Sequence, residues 1–257
     1  NPESALRALE LGATDFLTKP GNPAEITLRV RNALHAQQMH KALVELRNSL
    51  EEKVSERTHA LWQSQIEILE RLTRLANWRH EGSASHSRLV AHLSWRIARE
   101  LGLSPTEAEL IRLAAPLLDI GEVGIPDAIL AKRGLLTDNE LNIVCSHCQI
   151  GAEVLSGGKT RLITLAEEIA HTHHEKWNGS GYPRGLWREQ IPIAGRIVAL
   201  ADSYYSLRTE RAHRRAFSHE EALEDIQRES GKRFDPSVIE AFLRIEEEIV
   251  WPDGQAA

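Results

Sequence analysis

The stretch "HHEKWNGSGYPRG" (residues 173–185), followed five residues later by "IPIAGRIVALAD" (191–202), puts two adjacent imidazoles before a turn-rich loop and a carboxylate, Asp202, at the end of an apolar run. Gly179 and Gly181 allow backbone conformations that a Cβ forbids, so a tight turn is expected between two helices. On both sides the chain is punctuated as helices. Asn22 stands before Pro23 and Glu25, Ser104 before Glu107, Thr137 before Glu140 and Ser218 before Glu221, and Asp235 opens one more. Each pairs a side-chain cap with an acid or proline in the first turn. Strand signals are scarce, "ATDFLTKP" (13–20) being the one plausible short strand. The expected fold class is therefore mainly α.

With 257 residues, 42% of them hydrophobic, the chain can bury a sizeable core. A net charge of -6 argues against nucleic acid as the main partner. No apolar run approaches the ~18 residues of a membrane span, and no signal segment opens the chain, so no membrane is expected. Two cysteines, Cys145 and Cys148, cannot make a disulfide framework, which fits a reducing cytoplasm. Their spacing puts both thiols on one helix face. Structural zinc sites usually draw such pairs from separate segments, so these two read as buried small residues.

Three pieces are expected. Residues 1–36 carry a helix, the short strand ending in Lys19 and Pro20, and a helix from Asn22. That order resembles the last third of a two-component receiver domain, whose final strand bears a Lys followed by Pro. The resemblance implies a phosphoacceptor upstream of this sequence and a sensor histidine kinase as partner. Beginning at Asn1 in mid-pattern, the chain reads as a piece of a longer protein. Residues 37–66 are polar and helix-forming, with apolar positions at Met39, Leu43, Leu46, Leu50, Val54 and Leu61. The first spacings match a heptad seam and suit a parallel coiled-coil linker of a homodimer. A single amphipathic helix packing on its own chain fits as well. Residues 67–257 form the main helical body.

That body holds nine of the twelve histidines. His86, Asp119, His147, His171, His173, His174 and Asp202 are of the types that suit zinc, iron and manganese. Singly, such residues are more often ordinary core or surface groups; their order is what makes the set specific. "HHEKWNGSGYPRG" with "IPIAGRIVALAD" resembles the signature of the HD-GYP family, helical metal-dependent phosphodiesterases of the HD superfamily that hydrolyse cyclic di-GMP. "AAPLLDIGEVGIPDAIL" (114–130) is similar to its HD segment and "SHCQIGAEVL" (146–155) to its next ligand helix. The likeness covers residues from about 70 to 245.

The resemblance implies His86, Asp119, His147, His173, His174 and Asp202 as metal ligands, with Asp119 the bridging, catalytic carboxylate. It makes Gly181, Tyr182 and Pro183 the motif loop. It also implies Arg211 and Arg214 as phosphate contacts, with Arg208 and Arg215 nearby, and Tyr182 or Trp177 as guanine-stacking or loop-pinning rings. The family loop also docks diguanylate-cyclase-type domains.

Five positions depart from the pattern. Leu118 replaces the histidine of the HD pair and Glu122 a lysine. Gly82 and Asn178 stand where carboxylates are usual, and so does Tyr205. A leucine cannot coordinate, so the pocket of His86 and Asp202 loses a ligand while that of Asp119, His147, His173 and His174 stays complete. One iron, manganese or zinc ion, rather than two or three, is expected. If the helix continues past Leu118, Glu122 is a candidate substitute ligand one turn on. The leading expectation is a response-regulator output domain in cyclic di-GMP signalling with phosphodiesterase activity weakened or lost, binding or docking being kept. An active phosphodiesterase with an unusual metal set, or an interaction module with an empty site, are the alternatives.

Overall fold

The computed structural model describes residues 6–8, 10–13, 16–17, 19–76, 83–132, 134–210 and 215–249. It divides into two units, Asn1–Gln65 and Ile66–Ala257.

In the first unit the dominant element is the start of α1 (Pro23–Ala76). Asn22 caps it as expected, its Oδ1 accepting from the Ala24 amide at 3.0 Å. The seam residues lie open along the helix, from 53% exposed at Met39 and Leu50 to 67% at Leu61. The strand expected across residues 13–20 is absent at the described positions: Phe16 and Leu17 belong to no strand, and residues 14, 15 and 18 lie outside the described set. A strand needs a neighbour to pair with, and the described residues contain no strand, only two isolated bridges.

The second unit is built from α2 (Ser83–Glu100), α3 (Pro105–Ala114), α4 (Asp127–Leu130), α5 (Asp138–Cys145), α6 (His147–Leu155), α7 (Arg161–Thr172), α8 (Ile193–Arg208), α9 (His219–Arg228) and α10 (Pro236–Arg244). The caps read from the sequence hold. Ser104, Thr137 and Ser218 each form a reciprocal capping box, and Asp235 accepts from the Ser237 amide. α8 is apolar on nearly every face and sits centrally, with Ile197, Val198, Leu200 and Ala201 almost fully buried. α2, α7, α9 and α10 pack around it. Arg196 on α8 ties to the buried Asp235 at the start of α10, 2.6 Å away. No helix among the described residues is long and apolar enough to cross a membrane.

Two local expectations need correction. Cys145 and Cys148 do not share one helix: the helix that Thr137 opens ends at Cys145, and α6, with His147 and Cys148, starts after the break at Ser146. Nor does an α-helix carry Leu118 into Glu122. The chain runs through a 3-10 turn at Ala115–Leu117, leaves helical geometry at Asp119 (φ -100, ψ 18), and resumes as a second 3-10 segment, Ile120–Gly124. A non-helical residue thus stands between Leu118 and Glu122, and the one-turn spacing of a continuous α-helix does not apply to them. The register that would have made Glu122 a replacement for the missing histidine is therefore absent.

Candidate metal centre

Four segments converge. The break at Asp119 points its carboxylate inward between α6 and the end of α7. Gly121 makes this approach possible: a Cβ there would lie 1.9 Å from the His147 carbonyl oxygen, so only glycine lets the 3-10 segment lie against α6. His147 stands at the first position of α6, and His173 is the residue that terminates α7.

The two rings are oriented by their own backbone. His147 Nδ1 is 2.6 Å from the Val144 carbonyl, and His173 Nδ1 is 3.1 Å from those of Ile169 and Ala170. A carbonyl only accepts, so Nδ1 carries a proton in each ring, and Nε2 of the neutral ring keeps the lone pair that a metal would take. Both Nε2 atoms face one point. They are 3.3 Å apart, and Asp119 Oδ1 lies 3.5 Å from His147 and 3.3 Å from His173. The His174 ring stands 4.1 Å from that of His173 and stacks on Tyr182 at 4.8 Å.

Electrostatics follow from burial and proximity. Burial opposes ionisation of Asp119, but the hydrogen bond and charge of His173 prevail and hold its carboxyl below the ordinary range. Crowding by protein coexists with a side chain 37% exposed, so Asp119 forms the open wall of the pocket. For His173 burial works against protonation, yet Asp119 raises its pKa. Burial, reinforced by the charge of His173, holds His174 down to about 2, and burial also lowers His147. Two imidazoles with oriented Nε2 atoms, a third imidazole beside them and one carboxylate are a donor set for a divalent transition metal.

The second half of the expected centre is thinner. His86 on α2 and Asp202 on α8 meet at 2.9 Å, His86 Nε2 against Asp202 Oδ1. Leu118, where a third donor is expected, is 2% exposed and packs as core. Tyr205 is likewise buried, its ring centroid 6.4 Å from that of His86 in an edge-on arrangement. Gly82 lies outside the described residues.

The loop after His174 is held from within. The buried Glu175 accepts from the Arg184 and Leu186 amides at 2.8 and 3.0 Å. Gly181 packs where a Cβ would come within 2.3 Å of the Lys176 amide nitrogen. Trp177 bonds to the Arg233 carbonyl through its own amide and lies beside the Arg196 guanidinium, so it pins the loop. Asn178 accepts from both the amide and hydroxyl of Ser180. Tyr182 and Pro183 follow, with Tyr182 turned over His174. A cavity of about 430 Å³ opens here between His174, Tyr182, Lys176, Glu229 and Arg233. Arg211 and Arg214 lie outside the described residues. Their neighbour Arg215 is engaged by Glu221 at 2.8 Å.

Sequence reading missed one member of the cluster. Cys148 is fully buried, as expected, but its Sγ is 3.4 Å from His147 Nε2, and His147, Cys148, His173 and His174 present ligand atoms all within 4.8 Å of one another. The signal was its adjacency to His147; weighing the thiols only as a cysteine pair obscured it.

An all-helical body that gathers histidines and aspartates from separated helices defines the class: a metal-site domain of the HD type. A family model for the HD domain matches residues 70–238, more than half of the chain. A cyclic di-GMP phosphodiesterase of Thermotoga maritima is 41% identical over 258 residues, covering 96% of this chain and 69% of its own length. The cyclic di-GMP phosphodiesterase response regulator RpfG of Xanthomonas campestris pv. campestris is 38% identical over 237 residues, covering 92% of this chain and 63% of its own length. A crystal structure of a cyclic GMP-AMP specific phosphodiesterase of V. cholerae superposes with a TM-score of 0.51 at 23% identity, covering 71% of this chain and 48% of that one, a likeness of fold. The chain belongs to the HD-domain family and, within it, to the HD-GYP type. It spans about two thirds of the length of these two curated relatives.

Proposed function

We propose that this chain is the output part of a response regulator that binds cyclic di-GMP through an HD-GYP domain holding one metal ion, with phosphodiesterase activity weakened or lost. The observation that carries the reading is Leu118. It is buried directly before Asp119 and offers no donor, while the pocket on the other side of Asp119 has its full set. A divalent ion held by Asp119, His147, His173 and His174 would supply positive charge to draw electrons from a phosphodiester and ease deprotonation of water. His147 and His173 contribute fixed tautomers, Asp119 contributes its charge, and Tyr182 closes over His174. With His86 and Asp202 the two donors found on the other side among the described residues, the paired clamp of a two-metal centre is incomplete.

Cyclic di-GMP is chosen because the two curated relatives carry it in their names and cover nearly all of this chain. Its phosphates would meet Arg211 and Arg214, with guanidinium forks suited to phosphate oxygens. The exposed seam on α1 supports a second copy of this chain as partner: apolar residues at heptad spacing, flanked by acids and bases, bury themselves by pairing. The receiver-like residues 1–36 point to control by a sensor histidine kinase.

Two measurements test the reading. Cyclic di-GMP should bind at equilibrium, whereas turnover in manganese or iron should be at least a hundredfold below that of a Leu118→His variant. Wild-type turnover equal to that of Leu118→His would overturn the impaired-centre reading. Preference for 3',3'-cyclic GMP-AMP in the binding assay would overturn the ligand assignment.

A further inference from the structure

We infer that Cys148 is a ligand of the same metal, making this pocket a thiolate–imidazole site that selects zinc. The inference rests on the reading that the pocket holds an ion at all, and goes beyond it in naming a sulfur donor.

The geometry carries it. Around a tetrahedral zinc, nitrogens at about 2.0–2.1 Å and sulfur at about 2.3 Å lie roughly 3.3–3.6 Å from one another. The observed separations are 3.3 Å between His147 Nε2 and His173 Nε2, and 3.4 Å between Cys148 Sγ and His147 Nε2. Cys148 has no exposed surface, and both flanking histidines are buried. The first turn of α6 supplies His147 and Cys148 together, so one helix start fixes two donors. Since His147 donates through Nδ1 to Val144, its Nε2 can only accept, and in the metal-free protein the thiol hydrogen points at that lone pair. Metal binding releases this proton to solvent, leaves a thiolate, and changes no oxidation state. Cys145 lies outside the cluster.

A thiolate changes what the pocket prefers and what it can do. Sulfur is a soft donor that favours zinc over manganese. Asp119 faces two of the same nitrogens, and the cluster of His147, Cys148, His173 and His174 already offers the four donors that a tetrahedral ion uses. Catalytic zinc keeps one position for water or substrate, whereas structural zinc is fully enclosed by protein. With two imidazoles and a thiolate joined by His174, the four donors of the cluster fill the positions of a tetrahedral ion, which fits a binding role better than a hydrolytic one.

The test is X-ray absorption of the 257-residue chain and of its Cys148→Ser, Cys148→Ala and Cys145→Ser variants, each stripped of metal and given one equivalent of zinc. Wild type and Cys145→Ser should show one sulfur at about 2.3 Å. The two Cys148 variants should show only nitrogen and oxygen neighbours, with zinc affinity reduced at least tenfold and manganese affinity unchanged. Zinc bound at one per chain without a sulfur neighbour would overturn the inference and leave the one-metal reading standing. Failure to bind zinc or manganese at all would overturn both. If the Cys148 variants do not fold, wild type against Cys145→Ser still decides, because these are the only two cysteines.

Discussion

The two sides of Asp119 are built to different standards. On one side, His147 and His173 have their rings set by backbone carbonyls, their Nε2 atoms 3.3 Å apart, and almost no exposed surface. On the other, His86 and Asp202 face each other at 2.9 Å with 25% and 15% of their side chains exposed, and the residue between the two sides is an aliphatic one. A donor set is complete when orientation, burial and count agree. The His147 side meets all three conditions, and the His86 side fails on count.

Removing a donor from each side should show the contrast most strongly. His173→Ala should lose several hundredfold in metal affinity, since one ligand of about four carries roughly a quarter of the 10–16 kcal/mol typical of such sites. His86→Ala should change it less than threefold, and isothermal titration of both variants checks the asymmetry. Comparable losses would mean that both sides hold the ion.

Next in size is the backbone contact that brings the sides together. Gly121→Ala forces a Cβ into the His147 carbonyl and should cost about 3 kcal/mol by urea denaturation, with metal lost alongside. An unchanged midpoint would show that the 3-10 segment can shift away from α6.

Acid should act on the His147 side in the metal-free protein. His174 stays neutral down to about 2 when folded but takes a proton near 6.5 when unfolded, and His147 is shifted in the same direction. The unfolded chain thus binds more protons as pH falls, and stability is lost. His173, shifted upward, opposes this by contributing stability below 6.5 that is lost as pH rises through its folded value. Below 6.5 His173 is protonated in both states and adds no slope, so the other two leave a net loss of at most about 2.7 kcal/mol per pH unit. Urea midpoints at pH 7.5 and 5.5 measure it, and His174→Gln should flatten the slope.

The smallest effect is a control remote from both sides. Ser104→Ala removes the cap of α3 and should cost about 1 kcal/mol in thermal unfolding without altering metal content.

What the sequence revealed and what it hid divide along the same physical line. Caps at Asn22, Ser104, Thr137, Ser218 and Asp235 were legible because capping is decided within four residues. The chain order of His86, Asp119, His147, His173, His174 and Asp202 was legible through the family resemblance. The break at Ser146 and the 3-10 path through Asp119 were not, because tertiary packing against α6 sets them and local propensity does not. Cys148 was hidden for a related reason. Its partners His173 and His174 lie a helix away in sequence, and only the packing of α6 on α7 brings sulfur and imidazole together.

The claim at the centre is one furnished pocket and one unfurnished pocket sharing Asp119. Elemental analysis of the protein, purified without chelators and with oxygen excluded, tests it most directly. One tightly held transition-metal ion per chain, rising to two in Leu118→His, is the predicted result. Two retained ions per chain in the wild type would contradict it.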